Sequence, residues 1–119
     1  MAKVLVVDDS PTEVYKFKDM LEGMNFEVIT AENGRAAVEM ASSEQPDIVL
    51  MDIVMPDMNG FQATRQLSKD DATKNIPVVI VSSKDQETDK VWGERQGAKG
   101  YITKPVKADE LMKVIKSLI

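Results

Sequence analysis

Short apolar runs alternate with helical periods along the whole chain, and this alternation limits the possible folds more than any other feature. Lys3–Val7 reads as a buried strand that stops at Asp8. Ser10, Pro11 and Glu13 then have the form of a helix start: a capping hydroxyl, a proline in the first turn where an N–H has no partner anyway, and an acid three residues after the cap. Val14, Phe17, Leu21 and Met24 follow at helical spacing and should face a core. Residues 26–30 read as a second strand. Asn33-Gly34 opens a second helix with Ala37, Val38 and Ala41 as its inner stripe. Residues 47–51 form an apolar third strand ending at Asp52, and Asn59-Gly60 starts a third helix that reaches Leu67. Residues 77–81 read as a fourth strand. Thr88, Val91 and Arg95 mark a fourth helix ended by Gly97, and a stripe through Val91 would bring the core close to Trp92. Gly100–Thr103 is a short fifth strand. Leu111, Met112, Ile115 and Leu118 form the apolar face of a last helix, and the polar residues 70–75 read as a surface loop.

Five strand-helix pairs predict a doubly wound α/β fold, a parallel sheet with helices on both faces. The first, third and fourth strands are continuous apolar runs, as expected when both faces are covered. The 119 residues, 43% of them hydrophobic, fit one domain spanning the chain, with no second domain for a DNA-binding or catalytic output. The net charge of −5, with no basic cluster, argues against nucleic acid and against an anionic membrane surface as partners. With no cysteine and no histidine, disulfides, thiolate chemistry and Cys-based zinc sites are excluded. Any metal would have oxygen ligands, which favours Mg²⁺ or Mn²⁺. The N-terminal apolar run is too short for a signal peptide or a membrane span, so a cytoplasmic protein without membrane insertion is expected.

Open parallel α/β sheets bind ligands at the carboxyl ends of their strands. At that edge this sequence places Asp8 and Asp9 after the first strand and Asp52 after the third. Ser82 and Ser83 follow the fourth, and Lys104-Pro105 the fifth. Asp and Ser at strand ends are ordinary turn residues, and a lone Lys is ordinarily a solvated charge. Together they pose an electrostatic problem. Two carboxylates about 4 Å apart repel by roughly 4 kcal/mol at an effective dielectric near 20. Lys104 and a hard divalent cation are the counter-charges that fit.

Asp8-Asp9, Met51-Asp52-Ile53-Val54-Met55-Pro56, Asn59-Gly60, Val81-Ser82-Ser83 and Lys104-Pro105 resemble the receiver domain of two-component response regulators, the CheY-like family, over the whole chain. That resemblance implies a flavodoxin-like sheet of order 2-1-3-4-5 with five flanking helices. It implies that Asp52 is the phosphoacceptor, taking a phosphoryl group from a phosphohistidine on a partner histidine kinase. Mg²⁺ would be held by Asp9 and Asp52 directly, by Asp8 partly through water, and by the backbone carbonyl of Val54. Ser82 would hydrogen-bond the phosphoryl group, Lys104 would pair with its oxygens, and Tyr101 would change position with the switch. The Lys104-Pro105 bond is expected to be cis. The chain would be a phosphoacceptor switch with self-phosphorylation and slow self-dephosphorylation chemistry, not a turnover enzyme.

Three longer runs, VDDSPTEVYK, MDIVMPDMNGFQATRQL and KDQETDKVWGERQGAKGYITKPV, are similar to the small single-domain regulators of type IV pilus twitching motility, the PilH type. This similarity implies a chemotaxis-type kinase upstream and an output that controls the pilus, while the receiver resemblance implies a downstream protein at the face of the fourth helix, fifth strand and fifth helix, near Trp92 and Tyr101. A flagellar chemotaxis regulator and a phosphate sink in another phosphorelay are compatible with the same residues. An aspartate-nucleophile phosphatase would want a second Asp where this chain has Val54, which cannot transfer a proton. A flavin carrier of the same topology would want a hydroxyl-rich phosphate loop where this chain has Asp8-Asp9. A receiver that had lost its phosphorylation chemistry would lack one of the acids or the lysine, and none is missing.

Overall fold

A computed structural model describes residues 1–119. Five strands, β1 (Lys3–Val7), β2 (Glu27–Ala31), β3 (Ile48–Met51), β4 (Val78–Ser82) and β5 (Gly100–Thr103), alternate with five helices: α1 (Pro11–Gly23), α2 (Gly34–Glu44), α3 (Gly60–Lys69), α4 (Glu87–Arg95) and α5 (Ala108–Leu118). All strand pairs are parallel, in the order β2-β1-β3-β4-β5. This is the flavodoxin-like arrangement expected from the sequence.

The two faces of the sheet follow from side-chain alternation. Val4 and Val6 of β1 point to one side and join Phe17 and Leu21 of α1 and Leu111 and Ile115 of α5. Leu5 and Val7 point to the other and join Ala37 and Ala41 of α2 and Ala63 and Leu67 of α3. β3 and β4 are buried throughout, because helices cover both of their faces.

Element ends differ from the expected ones for identifiable reasons. β2 begins at Glu27 instead of Phe26 because the Phe26 N–H donates to the Leu21 carbonyl (3.1 Å) and closes the end of α1. Asp47 stays outside β3, where its carboxylate accepts the Lys3 N–H at 2.7 Å. β4 runs one residue later than expected, from Val78 to Ser82. α3 continues two residues past Leu67, to Lys69. Residues 70–75 are surface turns apart from Thr73, which is buried and donates its hydroxyl to the Leu67 carbonyl.

The stripe expected on α4 is not the one it uses. Val91 and Trp92 are 41% and 49% exposed, and Gly93 is the buried residue. A side chain at Gly93 would come within 2.8 Å of Ile80 Cδ1, so α4 lies on the sheet through its glycine and leaves its larger apolar residues outside.

Candidate functional site

Asp8, Asp52 and Lys104 each stand one residue past the end of a strand, β1, β3 and β5 respectively. The Asp8 N–H donates to Ala31 (3.1 Å), the Asp52 N–H to Val7 (3.0 Å) and the Lys104 N–H to Ser82 (2.8 Å). The sheet ladder therefore fixes the backbone at three points of one edge. Behind Asp52 the chain turns tightly: the Gly60 N–H donates to the Ile53 carbonyl at 2.8 Å, and any Cβ at Gly60 would collide with the Asp52 carbonyl. The Lys104-Pro105 bond is cis.

One carboxylate oxygen from each of Asp8, Asp9 and Asp52 lies within 4.8 Å of the others. Asp8 is buried, Asp52 half-buried and Asp9 exposed, so the cluster opens to solvent on the Asp9 side. Lys104 Nζ lies 3.0 Å from Asp8 Oδ2 and 3.6 Å from Asp52 Oδ1. One ammonium cannot offset three acids, and the imbalance appears at Asp52. Burial, reinforced by the Asp8 charge, pushes its carboxyl from 3.8 up to about 6, against the pull of Lys104. Burial acts to lower the Lys104 pKa, but its hydrogen bond to Asp8 and the charges of Asp52, Asp8 and Glu13 outweigh that and hold it above the ordinary lysine value. Three hard oxygen donors with an excess of negative charge and an open side fit a divalent cation such as Mg²⁺. Val54 is exposed on the loop after β3, and its carbonyl accepts no backbone hydrogen bond.

Ser82 is buried at the end of β4, and its hydroxyl accepts the Lys84 N–H at 3.1 Å, whereas Ser83 faces solvent. Tyr101 of β5 lies against Ile53, Ile80 and Ala98. Its hydroxyl donates to the Lys84 carbonyl at 2.6 Å, so it ties the loop after β4 to β5. Burial raises the Tyr101 pKa, and the adjacent Ser82 hydroxyl acts the other way. Sequence reasoning thus brings together the residues that the fold brings together: Asp8, Asp9, Asp52 and Lys104 in one cluster, with Ser82 and Tyr101 joined through Lys84. It missed Glu13 of α1, whose carboxylate approaches Lys104 Nζ to 3.5 Å.

An acidic triad facing a lysine and a serine at the carboxyl edge of a 2-1-3-4-5 sheet defines a receiver. The family model of the response regulator receiver domain matches residues 4–116, and the chain belongs to that family. Among individual relatives it is 60% identical to the protein PilH of Pseudomonas aeruginosa, over 100% of this chain and 98% of that one. It is 32% identical to the polar-differentiation response regulator DivK of Brucella anthropi, over 98% of this chain and 94% of the other. The chemotaxis protein CheY4 of Vibrio cholerae superposes with a TM-score of 0.93 at 30% identity, covering 100% of this chain and 99% of that one. The receiver domain of a Pseudomonas aeruginosa sensor histidine kinase superposes with a TM-score of 0.91 at 25% identity, covering 98% and 96%. That domain was solved with a magnesium ion coordinated in its active-site cleft.

Proposed function

We propose that this chain is a stand-alone response regulator that accepts a phosphoryl group on Asp52 from a chemotaxis-type histidine kinase and thereby controls type IV pilus twitching motility. Receiver domains take phosphoryl groups from histidine kinases, and membership of that family is the starting point. The observation that carries the reading is the surroundings of Asp52. Its carboxylate is half-buried, 3.6 Å from Lys104 and within 4.8 Å of two further acids.

In the transfer, an oxygen of Asp52 bonds to phosphorus as the bond from phosphorus to the kinase histidine nitrogen breaks, and the histidine, carrying a proton on its other ring nitrogen, leaves as neutral imidazole. Asp8, Asp9, Asp52 and the Val54 carbonyl would hold Mg²⁺, which supplies charge neutralisation at the phosphoryl oxygens. Lys104, already beside Asp52, pairs with those oxygens. The Ser82 hydroxyl exchanges the Lys84 N–H for the phosphoryl group, which loosens the loop that Tyr101 also holds. The acyl phosphate carries about −1.5 to −2 charges in place of the carboxylate's single one and moves them out onto the phosphoryl oxygens, the change that Lys104 and Ser82 sense.

The output surface is the face of α4, β5 and α5. Trp92 of α4 is half-exposed and would suit an aromatic anchor for a downstream protein that distinguishes the two forms. No helix is long and apolar enough to cross a membrane, in keeping with a cytoplasmic site of action. The pilus assignment rests on the 60% identity to PilH over nearly the full length of both chains. Its test is deletion of the gene, complemented separately by wild type and by Asp52→Ala. A surface-motility defect rescued by wild type alone supports it. Normal twitching with a swimming defect would assign the protein to flagellar chemotaxis instead.

A further inference from the structure

Glu13 is the charged side chain at the site that the phosphotransfer reading leaves without a role, and its position in the sequence suggests a different one. A Ser-x-x-Glu helix start predicts a reciprocal cap, in which the serine oxygen accepts the Glu N–H and the Glu carboxylate accepts the Ser N–H. Only the first half forms here: the Glu13 N–H donates to Ser10 Oγ at 3.4 Å. The Ser10 N–H is already taken by Asp8 Oδ1 at 2.9 Å. The Glu13 carboxylate is therefore free of the helix end and reaches two lysines. Oε1 lies 3.5 Å from Lys104 Nζ, and Oε2 lies 4.0 Å from Lys16 Nζ. Lys104 thus stands among three carboxylates, at 3.0 Å from Asp8, 3.5 Å from Glu13 and 3.6 Å from Asp52. Glu13 lies outside the Asp8, Asp9 and Asp52 cluster. With Lys104, Lys16 and Phe17 it lines a separate recess of about 110 Å³ that none of the three aspartates borders.

We propose that Glu13 is a positioning residue that competes with the phosphoryl group for Lys104 and so sets how much of that lysine's charge reaches Asp52. The proposal rests on the phosphotransfer reading above. An ammonium has three donors, enough to share among the acids that now surround it. A phosphoryl group on Asp52 strengthens the pull from one side. Lys104 can answer it fully only by loosening its contact with Glu13, which is then left with the more distant Lys16. The Glu13 pair is therefore a standing opposition to the activated arrangement. A partly exposed ion pair of this kind is worth about a threefold change in affinity.

The test is Glu13→Gln in the full chain, titrated with beryllofluoride in the presence of Mg²⁺ and followed by ¹⁹F NMR, with Mg²⁺ binding alone measured by calorimetry. The glutamine keeps the Ser10 cap but drops the charge. The variant is expected to bind beryllofluoride about threefold more tightly, with Mg²⁺ affinity unchanged and with the gain absent in a Lys104→Ala background. Where Lys104→Ala binds the mimic too weakly to titrate, the same cycle is read as the initial rate of phosphorylation by a small phosphodonor. An equal gain in Mg²⁺ affinity, or an equal gain without Lys104, would reduce Glu13 to a general charge effect and overturn the proposal. An unchanged or weakened beryllofluoride affinity in Glu13→Gln would overturn it as well. Failure of the wild type itself to bind beryllofluoride would instead count against the phosphotransfer reading on which the proposal stands.

Discussion

Asp52→Asn should make the metal-free protein more stable at neutral pH, although it removes the residue on which the proposed function rests. Burial and the Asp8 charge raise the Asp52 carboxyl from 3.8 to about 6. An acid whose pKa is higher in the folded state holds its proton more tightly there than in the unfolded chain. The resulting penalty is complete above the folded pKa, fades as pH falls and is gone below the unfolded one. At 1.36 kcal/mol per unit the penalty is about 3 kcal/mol near pH 7.5 and about 1 kcal/mol near pH 4.5. The pull of Lys104 at 3.6 Å is already contained in that shift, so asparagine removes only the net penalty. Water on the open side of the cleft screens part of the penalty, leaving a net gain of about 1–2 kcal/mol near pH 7.5 and almost none near pH 4.5. Urea unfolding followed by circular dichroism, in EDTA at both pH values, measures the difference. Adding Mg²⁺ should narrow the gap by stabilising the wild type. A variant no more stable than wild type near pH 7.5, or a gain that does not shrink on acidification, would refute the reasoning.

Asp9→Ala should remove most of the Mg²⁺ affinity in calorimetry, because it deletes the exposed donor of the carboxylate cluster; unchanged binding would take the metal elsewhere. Gly60→Ala places a methyl group against the Asp52 carbonyl and 2.8 Å from Ile53 Cα, backbone atoms that cannot swing aside. It should destabilise the fold by about 2–3 kcal/mol, and a chemical-denaturation loss under about 0.5 kcal/mol would show that this approach is not rigid. Trp92→Ala should change stability by less than about 1 kcal/mol because the ring is half in solvent. A larger loss in the same assay would place the ring in the core instead of on a partner face.

The legible parts of this structure are those governed by local rules. β1 and β5 have their expected bounds, and α1 starts as expected at its Ser-Pro signal, because burial and capping are written in consecutive residues. The acidic cluster was readable because parallel topology sends every strand's carboxyl end to the same edge, so Asp8, Asp52 and Lys104 had to meet if the strands were right. α4 was misread because its contact with Ile80 runs through Gly93, and a glycine carries no apolar signal. Tyr101 bonding to the Lys84 carbonyl depends on how β5 sits beside the loop after β4, which no local pattern encodes. Glu13 could have been found: Asp8 stands two residues before Ser10, the spacing of an aspartate that accepts that N–H in a turn. That bond competes with the second half of the cap and frees the glutamate.

The central claim is that Asp52 is the phosphoryl acceptor and that the chain carries its own transfer chemistry. Incubating the purified protein with a small acyl phosphate, with and without Mg²⁺, and mapping the product by tandem mass spectrometry tests it most directly. The account predicts a single phosphoryl group on Asp52, dependent on Mg²⁺ and absent from Asp52→Asn. No modification in the presence of Mg²⁺, or a phosphoryl group mapped to another residue of the wild type, would contradict it.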